Sequence, residues 1–347
     1  MTGRTVGMTL GKYAPLHHGH QQVIELALAE CDQVIVMIYD CPKTTNVPLP
    51  VRAEWIRQLY PQVEVVEAWD GPLEVGDAPE ITQMHDRYIV KMLGDQGITH
   101  FYSSEFYGDH VSRALGAVNR QVDPQRTTTP ISATAIREDA YFNRQFLHPV
   151  VYRDLIANIV LLGAPSTGKT TLAAALAAEL NTVWMPEYGR EYWDAHQSER
   201  RLTPEQLVEI AVGHLEREET LLLEANRFLF TDTNALTTYV FSHYYHGAAA
   251  AKLAEYADRC GSRYDLTLLC DTDIPYDDTW DRSGDANRQV MQAQIKADLA
   301  MRKIPYWTVR GTLEERVEQV KGALAHFVKF QNPVDFNLKR DADERLR

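Results

Sequence analysis

The sequence has little concentrated positive charge. Its 35 lysines and arginines face 48 acidic residues, for a formal net charge of −13, and no basic tract is longer than Arg200-Arg201 or Lys339-Arg340. Such a chain lacks the basic stripe of a dedicated nucleic-acid surface. Small anions stay open as ligands, because backbone N–H groups can hold phosphate on an acidic protein. Long apolar runs are missing too: nothing approaches the ~18 residues of a membrane span, and Met1 to Gly7 has no apolar signal core. The expectation is a cytoplasmic protein without a membrane partner. The four cysteines, Cys31, Cys41, Cys260 and Cys270, are dispersed and form no C-x-x-C pair. That pattern argues against a zinc site or a disulfide framework. There is no internal repeat and no low-complexity tract.

What is present is apolar content of 45% over 347 residues, enough for two cores at a soft prior of about 150 residues per domain. Val6 to Leu10 reads as a strand, Gly11 to Pro15 as a turn, Gly19 to Glu30 as an amphipathic helix and Gln33 to Tyr39 as a strand. The alternation continues with a helix over Val51 to Tyr60, a strand over Val63 to Ala68, a helix over Glu80 to Leu93 and a strand over Thr99 to Ser103. Apolar strands alternating with helices predict a doubly wound parallel sheet. An irregular stretch from Tyr141 to Val150 reads as a junction. The expected division is residues 1–150, 151–330 and a polar tail over 331–347. In the second half, strands are expected over Leu155 to Leu162, Arg227 to Thr231, Asp265 to Cys270 and Pro305 to Val309. One helix covers Lys169 to Leu180, and another opens at Thr203-Pro204 and runs to Glu224. The fold class predicted is therefore α/β, with two doubly wound parallel-sheet domains.

Gly163-Ala164-Pro165-Ser166-Thr167-Gly168-Lys169-Thr170 matches G-x-x-x-x-G-K-[ST] in full, and it lies between an apolar strand and a helix as that motif requires. Backbone N–H groups of such a loop cradle phosphates, Lys169 reaches the terminal oxygens and the Thr170 hydroxyl holds Mg²⁺, with Thr171 next in line. Phosphoryl transfer needs electrostatic clamping and positioning above all. Asp232, ending a strand, is the candidate metal carboxylate. Glu187-Tyr188-Gly189-Arg190-Glu191 is placed to serve the acceptor, with Glu187 a candidate catalytic carboxylate and Tyr188 and Arg190 candidate substrate contacts. Asp277 to Arg282, with Arg288 beyond it, fits a closing lid in which Arg282 meets ATP. The proton acceptor is open among Asp232, Glu187 and Asp278.

The second motif is His17-His18-Gly19-His20, directly after the first strand and opening the first helix. Gly19 lets the backbone approach an anion at a helix N-terminus, and His17 and His20 would donate hydrogen bonds to phosphates. Ser132, Thr134 and Arg137 place two hydroxyls and a cation at another helix start, a partner for the β- and γ-phosphates. A reaction served by these groups needs no enzyme nucleophile, because the acceptor phosphate attacks the α-phosphorus of ATP itself.

Gly11-Lys12-Tyr13-Ala14-Pro15-Leu16-His17-His18-Gly19-His20 with Ile131 to Arg137 resembles the nicotinamide-mononucleotide adenylyltransferase branch of the nucleotidyltransferases. Followed by a phosphate-loop kinase carrying Glu187 to Glu191, the chain is similar from Val6 to Val328 to the bacterial bifunctional NadR-type family. The resemblance implies two steps: ATP·Mg²⁺ phosphorylates nicotinamide riboside in the second domain, and the first adenylylates the resulting mononucleotide, NMN, to NAD⁺ with release of pyrophosphate. It carries phosphate-binding roles to Lys12, His17, His20, Ser132, Thr134 and Arg137, with Gly11 and Tyr13 beside them. Kinase roles go to Lys169, Thr170 and Asp232. By the same resemblance Ser104 and Glu105 line the first site, Arg52 reaches the mononucleotide, and Trp69 is a candidate to stack on nicotinamide. Some members open with a helix-turn-helix module; here Val6 already begins the first nucleotide-binding strand, so a repressor role lacks its reading head.

Two other readings stand beside this one. The domains could act on another phosphorylated molecule such as phosphopantetheine and on another nucleoside, although Glu187 to Glu191 favours the riboside. Alternatively, either site could sense nucleotides without turnover, against which intact Lys169, Thr170, His17 and His20 speak. The oligomeric state is open, a homo-oligomer included.

Overall fold

The computed structural model describes residues 3–74, 76–93, 96–198, 202–276 and 285–330, with side chains from 287 onward in the last segment. Arg200, Arg201, the whole Asp277 to Arg282 segment and the tail over 331–347 lie outside the described residues. The chain divides into two units after Tyr152, the second being Arg153–Phe327.

The first unit runs β1 (Val6–Gly11), α1 (His18–Glu30), β2 (Gln33–Tyr39), α2 (Leu49–Leu59), β3 (Glu64–Ala68), α3 (Pro79–Leu93), β4 (His100–Ser103), α4 (Gly108–Leu115), β5 (Val118–Gln121), α5 (Ala133–Glu138) and α6 (Pro149–Leu155), the last reaching across the division. Its five strands are parallel in the order β3-β2-β1-β4-β5. β1 therefore sits where the strand order reverses, and in open α/β sheets ligands bind beyond the carboxyl end of that position. β1 and β2 are buried almost end to end, which their unbroken apolar runs require. β5, Val-Asn-Arg-Gln, is exposed at the edge, and so short a polar segment gives no strand signal in the sequence.

The second unit runs β6 (Ala157–Leu162), α7 (Lys169–Glu179), β7 (Trp184–Met185), α8 (Tyr188–His196), α9 (Pro204–Leu222), β8 (Phe228–Asp232), α10 (Ala235–His246), α11 (Ala251–Arg263), β9 (Leu266–Cys270), α12 (Asp285–Met301), β10 (Trp307–Val309) and α13 (Leu313–Ala325). Its parallel sheet has the order β10-β9-β6-β8-β7. Successive residues of β6 face opposite layers, as the period of a strand dictates. Ile159 and Leu161 pack with Leu172 and Leu176 of α7 and Val320 of α13. Val160 and Leu162 pack with Ile210 of α9, Leu236 of α10 and Ile295 of α12. Both faces of β6 are thus covered, and its C-terminal end is left to carry the phosphate loop. The Thr203-Pro204 start of α9 is a capping box completed by Gln206.

Candidate active sites

In the first unit a cavity of about 460 Å³ opens at the carboxyl end of β1, and its walls bring together Gly11, Lys12, Tyr13, His17, Gly19, His20, Ser104, Glu105, Ser132, Thr134 and Arg137. His17 caps α1: its Nδ1 accepts from the Gly19 N–H at 3.1 Å, while His20 Nδ1 accepts from the His17 N–H at 3.4 Å. With both Nδ1 atoms accepting, a neutral ring carries its proton on Nε2. Neutrality is enforced. Burial, then the charges of Arg126 and His18, lower the His17 pKa to about 4. Burial, then His17 and Arg126, holds His20 well below its ordinary value. The rings stack with centroids 3.8 Å apart. The pair is thus two aimed N–H donors rather than two cations.

Arg137 is fixed by its own bonds, from Nη1 to the Ala14 carbonyl at 2.7 Å and from Nη2 to the Thr134 hydroxyl at 2.9 Å. Ser132 accepts from the Ala135 N–H and starts α5. Lys12 lies within reach of the Thr44 hydroxyl at 3.4 Å.

Two expectations fail here. Arg52 does not reach the cavity: it is fully buried, and its guanidinium donates to the carbonyl oxygens of Val47, Tyr39 and Lys12 beside Asp40. A guanidinium spent on three backbone carbonyls orders the β1 and β2 ends instead of meeting a substrate. Trp69 is 58% exposed and outside the cavity; the aromatic walls are Tyr13, Tyr39, Phe106 and Tyr107. The rim also includes Arg126, His85 and Thr129, which no motif spacing announces.

In the second unit the phosphate loop leaves β6 through Gly163 (φ 145°), Ser166 (φ 59°) and Gly168 (φ 80°). A Cβ on Gly163 would stand 2.8 Å from the Cys270 carbonyl oxygen, so close packing and backbone conformation both demand glycine. Ala164, Pro165 and Thr167 complete the turn, with the Thr167 hydroxyl donating to the Ala164 carbonyl at 2.8 Å. Lys169 Nζ donates to the same carbonyl at 3.0 Å. The Thr170 hydroxyl donates to Asp232 Oδ2, and Asp232 Oδ1 is buried without a hydrogen-bond partner among the described residues. Burial pushes the Asp232 carboxyl up to about 6 against the pull of Lys169. Thr171, the third residue of α7 and exposed, makes no such bond to the carboxylate among the described residues.

Beside the loop lies a cavity of about 200 Å³ lined by Gly163, Pro165, Lys169, Glu187, Arg190 and Trp193, with His214, Asn234, Thr237, Phe241 and Tyr245 opposite. Glu187, Arg190 and Trp193 recur at helical spacing and share one face of α8. Glu187 Oε2 is 3.8 Å from Arg190 Nε. Tyr188 is on the other face, contrary to expectation. Its ring lies under the Arg217 guanidinium at 4.0 Å and fills the space that Gly213 leaves on α9. Arg288, read from sequence as a lid cation, is buried and donates to the carbonyl oxygens of Ser166, Thr272 and Ile274. The other lid residues, Arg282 and Asp278 included, lie outside the described residues. Trp193, His214, Phe241 and Tyr245 were missed because they come from three helices whose common cavity only the fold creates.

Comparison with known proteins finds matches for both units. Residues 8–139 match a cytidylyltransferase-like family model and residues 158–316 an AAA domain model. The chain is 27% identical over 290 residues to the trifunctional NAD biosynthesis/regulator protein NadR of Escherichia coli K12, covering 79% of this chain and 70% of that one. It is 27% identical over 294 residues to its counterpart in Salmonella typhimurium LT2, with the same coverage. Among solved structures, a NadR protein in complex with NAD and AMP-PNP superposes with a TM-score of 0.57 at 21% identity, over 95% of this chain and 99% of that one. Another, in complex with NR, gives 0.56 at 22% identity over 96% and 99%. Fold and sites together define a nucleotidyltransferase-like α/β unit joined to a phosphate-loop unit. Within that class the chain is similar to the NadR proteins of these two bacteria.

Proposed function

We propose that the chain is a bifunctional enzyme of NAD salvage, using ATP twice. One observation carries this reading: each unit holds its own set of groups suited to phosphate, His17, His20 and Arg137 lining the first cavity, and Lys169 lining the second with the hydrogen-bonded pair Thr170 and Asp232 near it in the fold. The NadR relatives, named for NAD biosynthesis, support the substrates.

In the second unit the 5′-hydroxyl of nicotinamide riboside would attack the γ-phosphorus of ATP, breaking the bond to the β–γ bridging oxygen and releasing ADP. Glu187 is the proton acceptor proposed, being the one carboxylate that lines the cavity among the described residues. Lys169 and the loop N–H groups would neutralise the charge building on the phosphates. A buried carboxylate oxygen without a partner, beside a hydroxyl, fits a hard cation: Thr170 and Asp232 would hold Mg²⁺ between them. That ion, when bound, supplies charge neutralisation at the β- and γ-oxygens.

In the first unit a phosphate oxygen of NMN would attack the α-phosphorus of ATP, and the bond to the α–β bridging oxygen would break to release pyrophosphate. No proton needs to be removed from the attacking group. The work left to the protein is donation to the phosphate oxygens, from the Nε2–H groups of His17 and His20 and from Lys12 and Arg137. The test is direct: purified protein with ATP, Mg²⁺ and either the riboside or NMN, followed for NAD⁺. NAD⁺ from both is expected, and a protein that makes it from neither overturns the reading.

A further inference from the structure

A group that no motif singles out stands at the mouth of the first cavity. Arg126 lies in the loop between β5 and α5, lines the cavity, and holds a backbone φ of 51°. The loop is unusually well fastened for one of its length. Asp123 accepts the N–H groups of Thr127, Thr128 and Thr129 at 2.8, 2.9 and 3.1 Å and the Thr127 hydroxyl at 2.9 Å. The Arg126 N–H donates back to the Asp123 carbonyl at 2.8 Å. The Thr129 hydroxyl then ties the loop to α1 through Gln22 at 3.0 Å, less than one turn beyond His20. So many local bonds fix where Arg126 begins.

Among the described residues its guanidinium has one ionic partner, Glu105, with Nη2 2.9 Å from Oε1, and both side chains are about half exposed, at 46% and 40%. An ion pair this open to water is weak and is exchanged at little cost. The other cations are differently disposed: Arg137 already spends donors on Ala14 and Thr134, and the two histidines are neutral. Lys12 and Lys43 also line the cavity, and Arg126 joins them as a side chain whose charge is not fixed to backbone where a triphosphate must enter and pyrophosphate must leave. Arg126 is close enough to both rings for its charge to be felt at His17 and at His20.

The geometry points to Arg126 as a further phosphate-binding residue of the adenylyl-transfer site, one that leaves Glu105 for the phosphates of ATP when ATP enters. This rests on the adenylyltransferase reading above. Glu105 then competes with the nucleotide for the guanidinium, so the two residues act with opposite sign.

The test measures the KM for ATP and kcat of NAD⁺ formation from NMN in the full chain. Arg126→Ala should raise the KM for ATP at least tenfold, Arg126→Lys should recover most of that loss, and Glu105→Gln should lower the KM below that of the parent. A purely structural role for the pair would make Glu105→Gln resemble Arg126→Ala, because either change breaks the same contact. A KM for ATP that is unchanged in Arg126→Ala, or unchanged or raised in Glu105→Gln, overturns the assignment. Should Arg126→Ala fail to fold, the Lys and Gln variants decide alone. If the parent protein forms no NAD⁺ from NMN, the reading of the site itself has failed; if it does and Arg126→Ala is indistinguishable from it, only Arg126 is wrongly assigned.

Discussion

Arg316 grips the phosphate loop from behind: its Nη1 donates to the carbonyl oxygen of Thr167 at 2.6 Å, across 149 residues of sequence. The same guanidinium reaches the carbonyls of Gly311 and Asp271 and the carboxylate of Asp273, and it is buried. With Arg288 on the Ser166 carbonyl and Gln292 accepting from the Ala164 N–H at 2.8 Å, side chains from α12 and α13 engage three successive parts of the loop. The Ser166 and Thr167 carbonyls are thereby taken up by arginine donors and the Ala164 N–H by Gln292, so the loop's shape is held from outside.

Arg316→Met should therefore cost stability and kinase activity together. Three carbonyls and a carboxylate lose a shared donor, worth about 2–4 kcal/mol by analogy with other broken buried networks. The loop, no longer held, should bind ATP at least tenfold more weakly in the riboside reaction. Arg316→Lys should recover little, since a single ammonium cannot span the fork. An unchanged KM for ATP in the riboside reaction of Arg316→Met would show that the loop holds its shape unaided.

The two sites should separate cleanly by mutation. Lys169→Ala is expected to lower the riboside step by 10³-fold or so, within the span of 2.7–4 kcal/mol seen when one preorganised donor is lost, and to leave NAD⁺ formation from NMN within twofold. His20→Ala should do the reverse. Each is checked by following both reactions in the same preparation, where each activity reports on the folding of its own unit. Loss of both reactions in either variant would mean the sites are not independent.

How much of this was readable in the sequence follows from how locally each feature is determined. The phosphate loop and His17 to His20 were legible because their chemistry lies within eight or fewer consecutive residues. The parallel sheets were legible because strands buried on both faces must be apolar throughout, as β2 and β6 are. Arg52, Arg288 and Arg316 were not, since an arginine that ends on backbone carbonyls looks in sequence like any surface cation. Tyr188 was misplaced because a nine-residue helix can be phased either way until its partner is known, and Gly213, which receives the ring, is 25 positions further along. Trp193 and Phe241 line one cavity only because α8 and α10 converge on the loop.

The paired imidazoles should leave a pH signature. His17, lowered to about 4, stays neutral through the working range, so NAD⁺ formation from NMN should show no inflection between pH 5 and 8 from this residue. Stability should behave differently: a histidine whose folded pKa is depressed contributes stability present above its unfolded value near 6.5 and loses it as pH falls toward 4. Thermal melts of the parent and His17→Asn, in which the amide can still accept the Gly19 N–H, should converge at acid pH as that contribution disappears. A rate inflection near 6.5 that is absent from His17→Asn would mean that the ring titrates during catalysis.

Asp232 gives the opposite sign. Its folded pKa, raised to about 6 from 3.8 by burial, means that the ionised form is disfavoured in the native state. Stability associated with this group is full below pH 4, falls as pH rises toward 6, and is flat above that. Asp232→Asn removes the buried charge and can keep the Thr170 hydroxyl bonded through its amide oxygen. The variant should therefore melt with the parent at pH 4 and above it at pH 7, by a margin worth up to about 3 kcal/mol, at 1.36 kcal/mol for each of the roughly two pH units between 3.8 and 6. It should also lose riboside phosphorylation at every pH, because the NH2 that takes the place of the second carboxylate oxygen donates hydrogen bonds and cannot ligate Mg²⁺. Added Mg²⁺ should raise the melting temperature of the parent at pH 7 and not that of Asp232→Asn. A variant that is stabilised equally by the ion would show that the carboxylate is not its ligand.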